Sequence, residues 1–283
     1  MATGTLNNPG GRAGAQPGGT GGAGSGRAEV AGRTLRTDRW WVPPALTAAG
    51  LLFFIAYGTF RIFTSRWYYV DKYHYLAPFY SPCLSDSCVG DSNAGFPTFV
   101  PSLPTWLSPA FIILIFPAGF RLTCYYYRKA YYRAFWMSPP ACAVAEPHTK
   151  YTGETRFPLI FQNVHRYFFY AAIAVAGILS YDVVLAFHDP DGGVGMGLGT
   201  LILLVNVVFI WAYTLSCHSC RSIVGGRLNH FSKHPVRYWF WQQVSKLNAR
   251  HMLLAWVSLF TVLIADFYVL LVSSEAISDL RFF

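Results

Sequence analysis

The sequence predicts an all-α integral membrane protein, a bundle of five transmembrane helices with a cytoplasmic N-terminus and an external C-terminus. Composition is the first observation: 53% of the 283 residues are hydrophobic and only 12% are charged, whereas soluble domains carry about a quarter charged residues. The second observation is that the apolar residues gather in five long runs. The third is that Lys and Arg concentrate in alternate segments between those runs.

The N-terminal segment, residues 1–38, is predicted to be a disordered cytoplasmic tail. It is rich in Gly, Ala and Arg and has almost no large apolar side chains, so burial cannot offset the entropy that ordering would cost. The remaining residues, 39–283, are predicted to form the five-helix transmembrane domain.

Each of the five apolar runs is long enough to cross about 30 Å of hydrocarbon at about 1.5 Å per residue. Their predicted bounds are 43–63, 106–126, 166–187, 198–217 and 251–272. The second run contains Pro109 and Pro117, which membrane helices tolerate because neighbouring groups satisfy the freed backbone. A kink is expected near Pro117.

The positions of the basic residues predict the orientation. Sixteen Lys and Arg residues lie before residue 43 and in loops 127–165 and 218–250, against three in segments 64–105, 188–197 and after residue 272. The positive-inside rule places the first group in the cytoplasm and the C-terminus outside. A net charge of +9 does not indicate nucleic-acid binding here, because the basic residues lie between apolar runs and not on one soluble face.

Cys83 and Cys88 lie in the segment predicted to be external, where an oxidising compartment favours a disulfide. Pro82 and the intervening Ser and Asp residues suit a tight turn, so we expect a bridge between the two cysteines. The alternatives are two free thiols, which are unusual outside the cell, or a metal site with His74 as the further soft ligand.

The remaining candidate ligands recur at the cytoplasmic ends of helices two to five. In chain order they are Cys124, His165, Cys217, His218, Cys220 and His251. Cys124 lies eighteen residues after Trp106 and Cys217 eighteen after Gly199, about 27 Å of helix in each case, so the two cysteines should lie at similar depth. One such residue at a helix end is more often a polar cap or a small buried hydrophobe. Ligands from four helices favour a metal or cofactor centre.

Three kinds of centre suit these ligands. Two haems would need two pairs of histidines, and the second helix offers Cys124 instead; a single haem between His165 and His251 would leave the cysteines without a role. Zinc suits two Cys and two His but is redox-inert. A Rieske-type two-iron cluster takes two thiolates on one iron and two imidazoles on the other, and the inventory does not separate it from zinc.

The cysteine pair is left open. Cys217 and Cys220 share a helix face, whereas Cys124 and Cys217 share a depth and could pair across helices. His165 and His251 are the preferred imidazoles because each begins a different helix at the same level, and His218 is the reserve candidate.

Four segments of the sequence carry a resemblance to a known family: FRLTCYYYRKAYYRAFW (120–136), KYTGETRFPLIFQNVHRYFFY (150–170), LSCHSCRSIVGGRLNHFSKHPVRY (215–238) and LNARHMLLAWVSL (247–259). In these segments the chain resembles the membrane anchor of the actinobacterial and mycobacterial succinate dehydrogenases, the haem-free branch of respiratory complex II. Residues 1–38 carry none of the resemblance.

The resemblance implies an anchor in the plasma membrane that docks a flavoprotein and an iron-sulfur protein on its cytoplasmic face and binds no succinate itself. It implies electron transfer from succinate through a membrane-embedded Rieske-type 2Fe-2S cluster to quinone, with menaquinone expected and no haem. The cluster ligands carried over are four of Cys124, His165, Cys217, Cys220 and His251. The basic, Tyr- and Trp-rich loops 127–165 and 218–250 suit docking and equally suit contact with anionic lipid headgroups.

A quinone site is expected in the outer half of the bundle, because ionisable residues within spans are costly and indicate function. The candidate residues are Tyr181, Asp182, Asn206, Asp266 and Tyr268. The alternative is hydrogen bonding between helices. Two other functions remain open at this point: a haem b-bearing, cytochrome b-like quinone oxidoreductase anchor, and a proton-coupled transporter that uses the two Asp residues and a structural zinc.

Overall fold

The structure is a computed structural model that describes residues 38–104, 107–144, 147, 153–157, 159–189 and 192–283. The predicted tail falls on residues 1–38, of which all but Asp38 lie outside the described residues. Within the described residues the chain forms eight α-helices: α1 Val42–Thr64, α2 Ala110–Thr123, α3 Tyr125–Trp136, α4 His165–Leu185, α5 Leu198–Leu215, α6 His218–Gly225, α7 Pro235–Ala249 and α8 His251–Ser273. A short antiparallel hairpin pairs two strands of two residues each, β1 Tyr69–Val70 and β2 Tyr75–Leu76.

The described helices that match the predicted spans are α1, α4, α5 and α8. Among the described residues these are long and apolar enough to cross a membrane, α4 being continuous with a short 3-10 segment that begins at Leu159. A fifth span results if α2 and α3, which are bent by 74° at Cys124, count as one. The protein is thus an all-α membrane protein with four or five spans.

The second span departs from the prediction. Pro117 lies inside α2, and the chain breaks seven residues later at Cys124, which has an extended backbone. The large bend of this span thus lies at Cys124, and a kink near Pro117 stays a prediction. The residues after Cys124 include Arg128, Lys129 and Arg133 among tyrosines, and such residues favour the membrane interface over the hydrocarbon.

The segment 218–250, expected as a loop, contains two helices, α6 and α7. They pack against each other, and α6 also contacts α4 and α5. Arg237 on α7 donates hydrogen bonds to the carbonyl oxygens of Val224 and Gly226 at the C-terminal end of α6. These carbonyls have no partner within their own helix, so Arg237 fixes the two helices together.

Two apolar clusters stabilise the bundle, where α5 packs on α8 and α2 on α4. The outer cluster joins α4, α5 and α8 to the segment after α1, including the buried side chains of Tyr75, Tyr80 and Cys83. The inner cluster, at the end expected to face the cytoplasm, contains Cys124 and Cys217. Helix α1 is the least buried span, so most of its apolar surface faces lipid or a partner.

Candidate metal centre

The two cysteines of the inner cluster occupy equivalent positions at helix breaks. Cys124 separates α2 from α3, Cys217 precedes α6, and both have extended backbones, with φ −65°, ψ 128° and φ −66°, ψ 147°. Each therefore lies at the N-terminus of the following helix, where free amides and the helix dipole favour an anionic sulfur. The amide of Ser219 donates to the Cys217 sulfur at 3.3 Å.

Each cysteine faces a histidine from another helix. The Cys124 Sγ lies 3.3 Å from the Nε2 of His251, the first residue of α8. The Cys217 Sγ lies 3.0 Å from the Nε2 of His165, the first residue of α4. Both cysteines and His251 are buried. Four helix ends thus bring two thiols and two imidazoles together as two Cys–His pairs.

The other ring nitrogen of each histidine contacts a hydroxyl. His165 Nδ1 lies 2.9 Å from Thr123 Oγ1, and His251 Nδ1 lies 2.7 Å from Ser216 Oγ. Thr123 and Ser216 are buried and immediately precede the two cysteines. This arrangement matches the outer-shell hydrogen bond that orients histidine ligands in metal sites.

An aromatic layer lies against both imidazoles. Phe120 stacks on His165 with ring centroids 5.0 Å apart, and Tyr213 stacks on His251 at 5.2 Å. The Phe120 and Tyr213 rings are 5.3 Å apart, so the four rings form a continuous row. The Tyr213 hydroxyl faces the Cys124 side chain but forms no hydrogen bond of normal geometry with any described residue.

Arg121 lies next to this layer. Its guanidinium sits 4.7 Å from the centroid of the Tyr213 ring and donates hydrogen bonds to the Tyr127 hydroxyl and to Ser258. Tyr127 in turn donates to the carbonyl of Ala255 at 2.6 Å. A cation is therefore held by fixed partners beside the candidate centre.

Cys220 and His218 do not join the pairs. Cys220 is buried on α6 within the inner cluster, whereas the sulfurs that contact an imidazole among the described residues are those of Cys124 and Cys217. His218 is exposed at the first position of α6. Among the described residues, no three His, Cys, Asp or Glu side chains are placed so as to hold one metal ion together.

On the opposite side of the bundle, Cys83 and Cys88 form a disulfide. It lies in the segment between α1 and α2, which covers that end of the helices. Tyr75 in the same segment donates to Asp279 at 2.9 Å and contacts Thr200 at 3.0 Å. These contacts attach the segment both to the C-terminal residues and to the start of α5.

The structure distributes the quinone candidates among separate contacts. Asp266 is fully buried, pairs with Arg61 at 2.6 Å and accepts from Tyr57 at 2.6 Å. Asp182 is buried and accepts from Ser81. The other three candidates behave differently: Asn206 is buried, Tyr181 is half exposed against Phe96, and Tyr268 donates to Asp279.

Three of these residues nevertheless share one property. Both amide atoms of Asn206, the Oδ1 of Asp182 and the Oδ1 of Asp266 are buried without a hydrogen-bond partner in the described part of the chain. They come from α5, α4 and α8, and α5 packs on both of the other helices. Buried polar groups are rarely left unpaired, so these atoms mark places where a ligand or water would bind.

Sequence reasoning missed several of the residues that shape both regions. Thr123 and Ser216 could have been found, because a hydroxyl residue directly precedes each of the candidate cysteines Cys124 and Cys217. Arg61 could also have been found, since one Arg near the end of an apolar run needs an anionic partner. No sequence signal distinguishes Tyr213 from the other seventeen tyrosines.

Comparison with known proteins confirms the resemblance. Residues 42–275 match the family described as actinobacterial succinate dehydrogenase subunit SdhC. A chain of the Mycobacterium smegmatis Sdh1 complex in the apo form is 61% identical, with a TM-score of 0.85 over 91% of this chain and 97% of that chain. No curated protein matches the chain. Because the family match spans most of the sequence, the chain belongs to the actinobacterial SdhC family, the membrane subunits of succinate dehydrogenase.

Proposed function

We propose that this membrane protein passes electrons from an iron-sulfur partner through a Rieske-type 2Fe-2S cluster to quinone. The observation that carries the proposal is the convergence of Cys124, His165, Cys217 and His251 from four helix ends. Membership of the succinate dehydrogenase family supplies succinate as the source of the electrons.

The donor set fits such a cluster. In a Rieske-type centre each iron has two protein ligands, two thiolates on one iron and two imidazoles on the other. The two cysteines and two histidines match this set in number and type. Both sulfurs lie at helix N-termini that favour the anion, and both imidazoles have outer-shell partners. Cys124 and Cys217 are therefore proposed as the sulfur ligands in preference to Cys217 with Cys220.

When bound, the cluster would supply one-electron transfer at the inner end of the bundle. The surrounding residues hold and shield it. Phe120 and Tyr213 cover the imidazoles on one side and exclude water, and a lower local dielectric strengthens every charge interaction with the centre. Arg121 places a positive charge nearby, which favours the form of the centre that carries the additional electron.

The partners are proposed to dock beside this centre. Helices α3 and α7 expose Trp136, Trp239 and Phe240 together with Lys246. Exposed aromatic and basic side chains are typical of binding surfaces. As a member of the succinate dehydrogenase complex, the protein has flavoprotein and iron-sulfur partners, and electrons would enter where the iron-sulfur partner lies against α3, α6 and α7.

The quinone, proposed to be menaquinone, is assigned to the outer half of the bundle. The unpartnered atoms of Asp182, Asn206 and Asp266 support this placement, since a quinone carbonyl and the protons it takes up need polar groups inside the membrane. Tyr181 and Tyr268 would line the approach from the outer surface. The alternative is a site beside the cluster, among Arg121, Tyr125 and Trp256.

The absorption and EPR spectra of the purified complex test this proposal. Broad visible bands and a Rieske-type EPR signal on reduction are expected, whereas a sharp Soret band would indicate that the protein binds haem and not the cluster. The signal should disappear in Cys124→Ser and Cys217→Ser and persist in Cys220→Ser, the matched control. Persistence of the signal in both ligand variants, or its loss only in Cys220→Ser, would contradict the ligand set.

A further inference from the structure

We propose that Thr123 and Ser216 are positioning residues that hold both imidazoles in the tautomer protonated at Nδ1, so that His165 and His251 bind iron through Nε2. The inference rests on the proposed function, because it names which atom of each histidine meets the cluster. It follows from four hydrogen bonds that repeat one pattern at two places in the chain.

The first instance is on α2. The Thr123 hydroxyl donates to the carbonyl oxygen of Gly119, one turn earlier, at 2.7 Å. A hydroxyl has one proton and two lone pairs, so Thr123 can only accept from His165 Nδ1, which lies 2.9 Å from it. His165 therefore carries its proton on Nδ1.

The second instance is at the end of α5. The Ser216 hydroxyl donates to the carbonyl oxygen of Tyr213 at 2.7 Å. Its lone pair then accepts from His251 Nδ1, at 2.7 Å. Ser216 is fully buried, so water does not compete for the contact. The two histidines, on different helices, are thus set in the same tautomer.

The consequence lies on the opposite side of each ring. A neutral imidazole protonated at Nδ1 has its free lone pair on Nε2. That atom is the one that faces a cysteine sulfur in both pairs, 3.0 Å from Cys217 for His165 and 3.3 Å from Cys124 for His251. Each Nε2 lone pair therefore faces a sulfur, in two separate Cys–His pairs, and Nε2 is the nitrogen left available to a shared cluster.

A purely structural role is the competing explanation, because a hydroxyl bonded to its own helix backbone is common without any ligand nearby. Ser180 on α4 provides the comparison within this chain. Its hydroxyl donates to the carbonyl oxygen of Ala176, one turn earlier, at 2.7 Å, and accepts from the indole Nε1 of Trp211 at 2.9 Å. Its substitution removes the same type of hydrogen bond without touching a histidine.

The decisive experiment uses the whole succinate dehydrogenase complex with histidine labelled by 15N at either Nδ1 or Nε2 alone. Pulsed EPR of the reduced cluster should show strong 15N coupling only with the Nε2 label. Strong coupling from Nδ1 would overturn the inference while leaving the cluster assignment intact. Absence of any cluster signal in the wild type would remove the proposed function and this inference with it.

Variants add a second readout, the iron and acid-labile sulfide content of each complex. Thr123→Val and Ser216→Ala are expected to weaken cluster retention by about 10- to 100-fold, as loss of an outer-shell partner does elsewhere. Thr123→Ser and Ser216→Thr, which keep the hydroxyl, should restore it, and Ser180→Ala should leave it unchanged. Equal iron loss in Ser180→Ala, or none in the first two variants, would indicate a structural role only.

Discussion

The Nε2 atom of His165 lies 3.0 Å from the Sγ atom of Cys217, although the two residues are 52 positions apart and lie at the starts of different helices. The same relationship joins His251 to Cys124. Each pair links one helix break to the start of a span, so the ends of α2, α4, α5 and α8 are tied together at one depth. The cluster assignment depends on these two pairs.

Replacing His165 and His251 together by Ala should abolish quinone reduction, because the proposed cluster loses both imidazole ligands. Succinate oxidation with an artificial soluble acceptor should survive, since it does not use the membrane centre. Assays with both acceptors on the assembled complex measure the difference. Full quinone reductase activity with normal iron content would rule out the cluster assignment.

Tyr213→Phe should lower the reduction potential of the centre. The Tyr213 hydroxyl is buried, faces Cys124 and lacks a partner among the described residues, so we expect it to donate to a cluster sulfur, and such bonds raise the potential. A tenfold smaller equilibrium constant for one-electron reduction corresponds to a reduction potential that is lower by about 59 mV. An EPR redox titration measures it.

The control for that variant is Tyr131→Phe, which removes a hydroxyl that packs against the same inner cluster and already accepts from Gln162. It should leave the reduction potential little changed. Equal potentials in the Tyr213→Phe variant and the wild type would show that the hydroxyl does not contact the cluster.

Cys83 and Cys88 should both be protected from alkylation in the denatured, unreduced protein, because they are joined by a disulfide. Mass spectrometry of the alkylated peptides measures this, and prior reduction provides the positive control. Labelling of either residue without reduction would count against the bridge and against the external placement of this segment.

Asp266→Asn should destabilise the protein strongly. Arg61 and Asp266 are both fully buried and lie 2.6 Å apart, and removal of one partner from a buried ion pair costs about 3–5 kcal/mol because the other charge stays uncompensated. Thermal unfolding in detergent should show a lower midpoint. The double variant Arg61→Gln, Asp266→Asn should recover much of the loss, and failure to recover any would mean that the pair is not the cause.

The spans could be predicted from the sequence because hydropathy depends on the composition of about twenty consecutive residues, and contacts with other parts of the fold do not change that composition. The sequence did not predict the helix break at Cys124. Pro117 is the stronger local signal for a bend, and the break at Cys124 depends on α3 leaving the hydrocarbon. Which cysteines pair with which histidines was equally inaccessible. From spacing alone, Cys220 and Cys124 were equally good candidates for the cysteine that accompanies Cys217. Only the packing of the helices shows that Cys124, and not Cys220, contacts an imidazole.

The outer carboxylates show a similar limit. Sequence position placed Asp182 and Asp266 at similar depth, but the two residues have different surroundings. Asp266 is neutralised by Arg61, which lies near the end of another span. Asp182 accepts from Ser81, and no cation is paired with it among the described residues. Asp182 is therefore the cleaner test of a quinone site in the outer half.

Asp182→Asn should impair quinone reduction and leave the cluster spectrum unchanged. Its distance from His165 along α4 is seventeen residues, about 25 Å, so the substitution cannot reach a ligand, whereas an amide cannot deliver a proton to quinone. Asp189→Asn, the same chemical change at a residue paired with Arg281 near the surface, should have no effect. Quinone reductase assays on both variants make the comparison.

The same site predicts a dependence on membrane potential. If quinone is reduced in the outer half, electrons cross from the inner end of the bundle outward, and an inside-negative potential favours this by about 2.3 kcal/mol per charge for each 100 mV. Collapsing the potential with an uncoupler should therefore slow quinone reduction in vesicles with the succinate site inside. Protons taken from the outer side would reinforce the effect. If the uncoupler has no effect and Asp182→Asn is fully active, the outer site is wrong, and the quinone binds beside the cluster among Arg121, Tyr125 and Trp256.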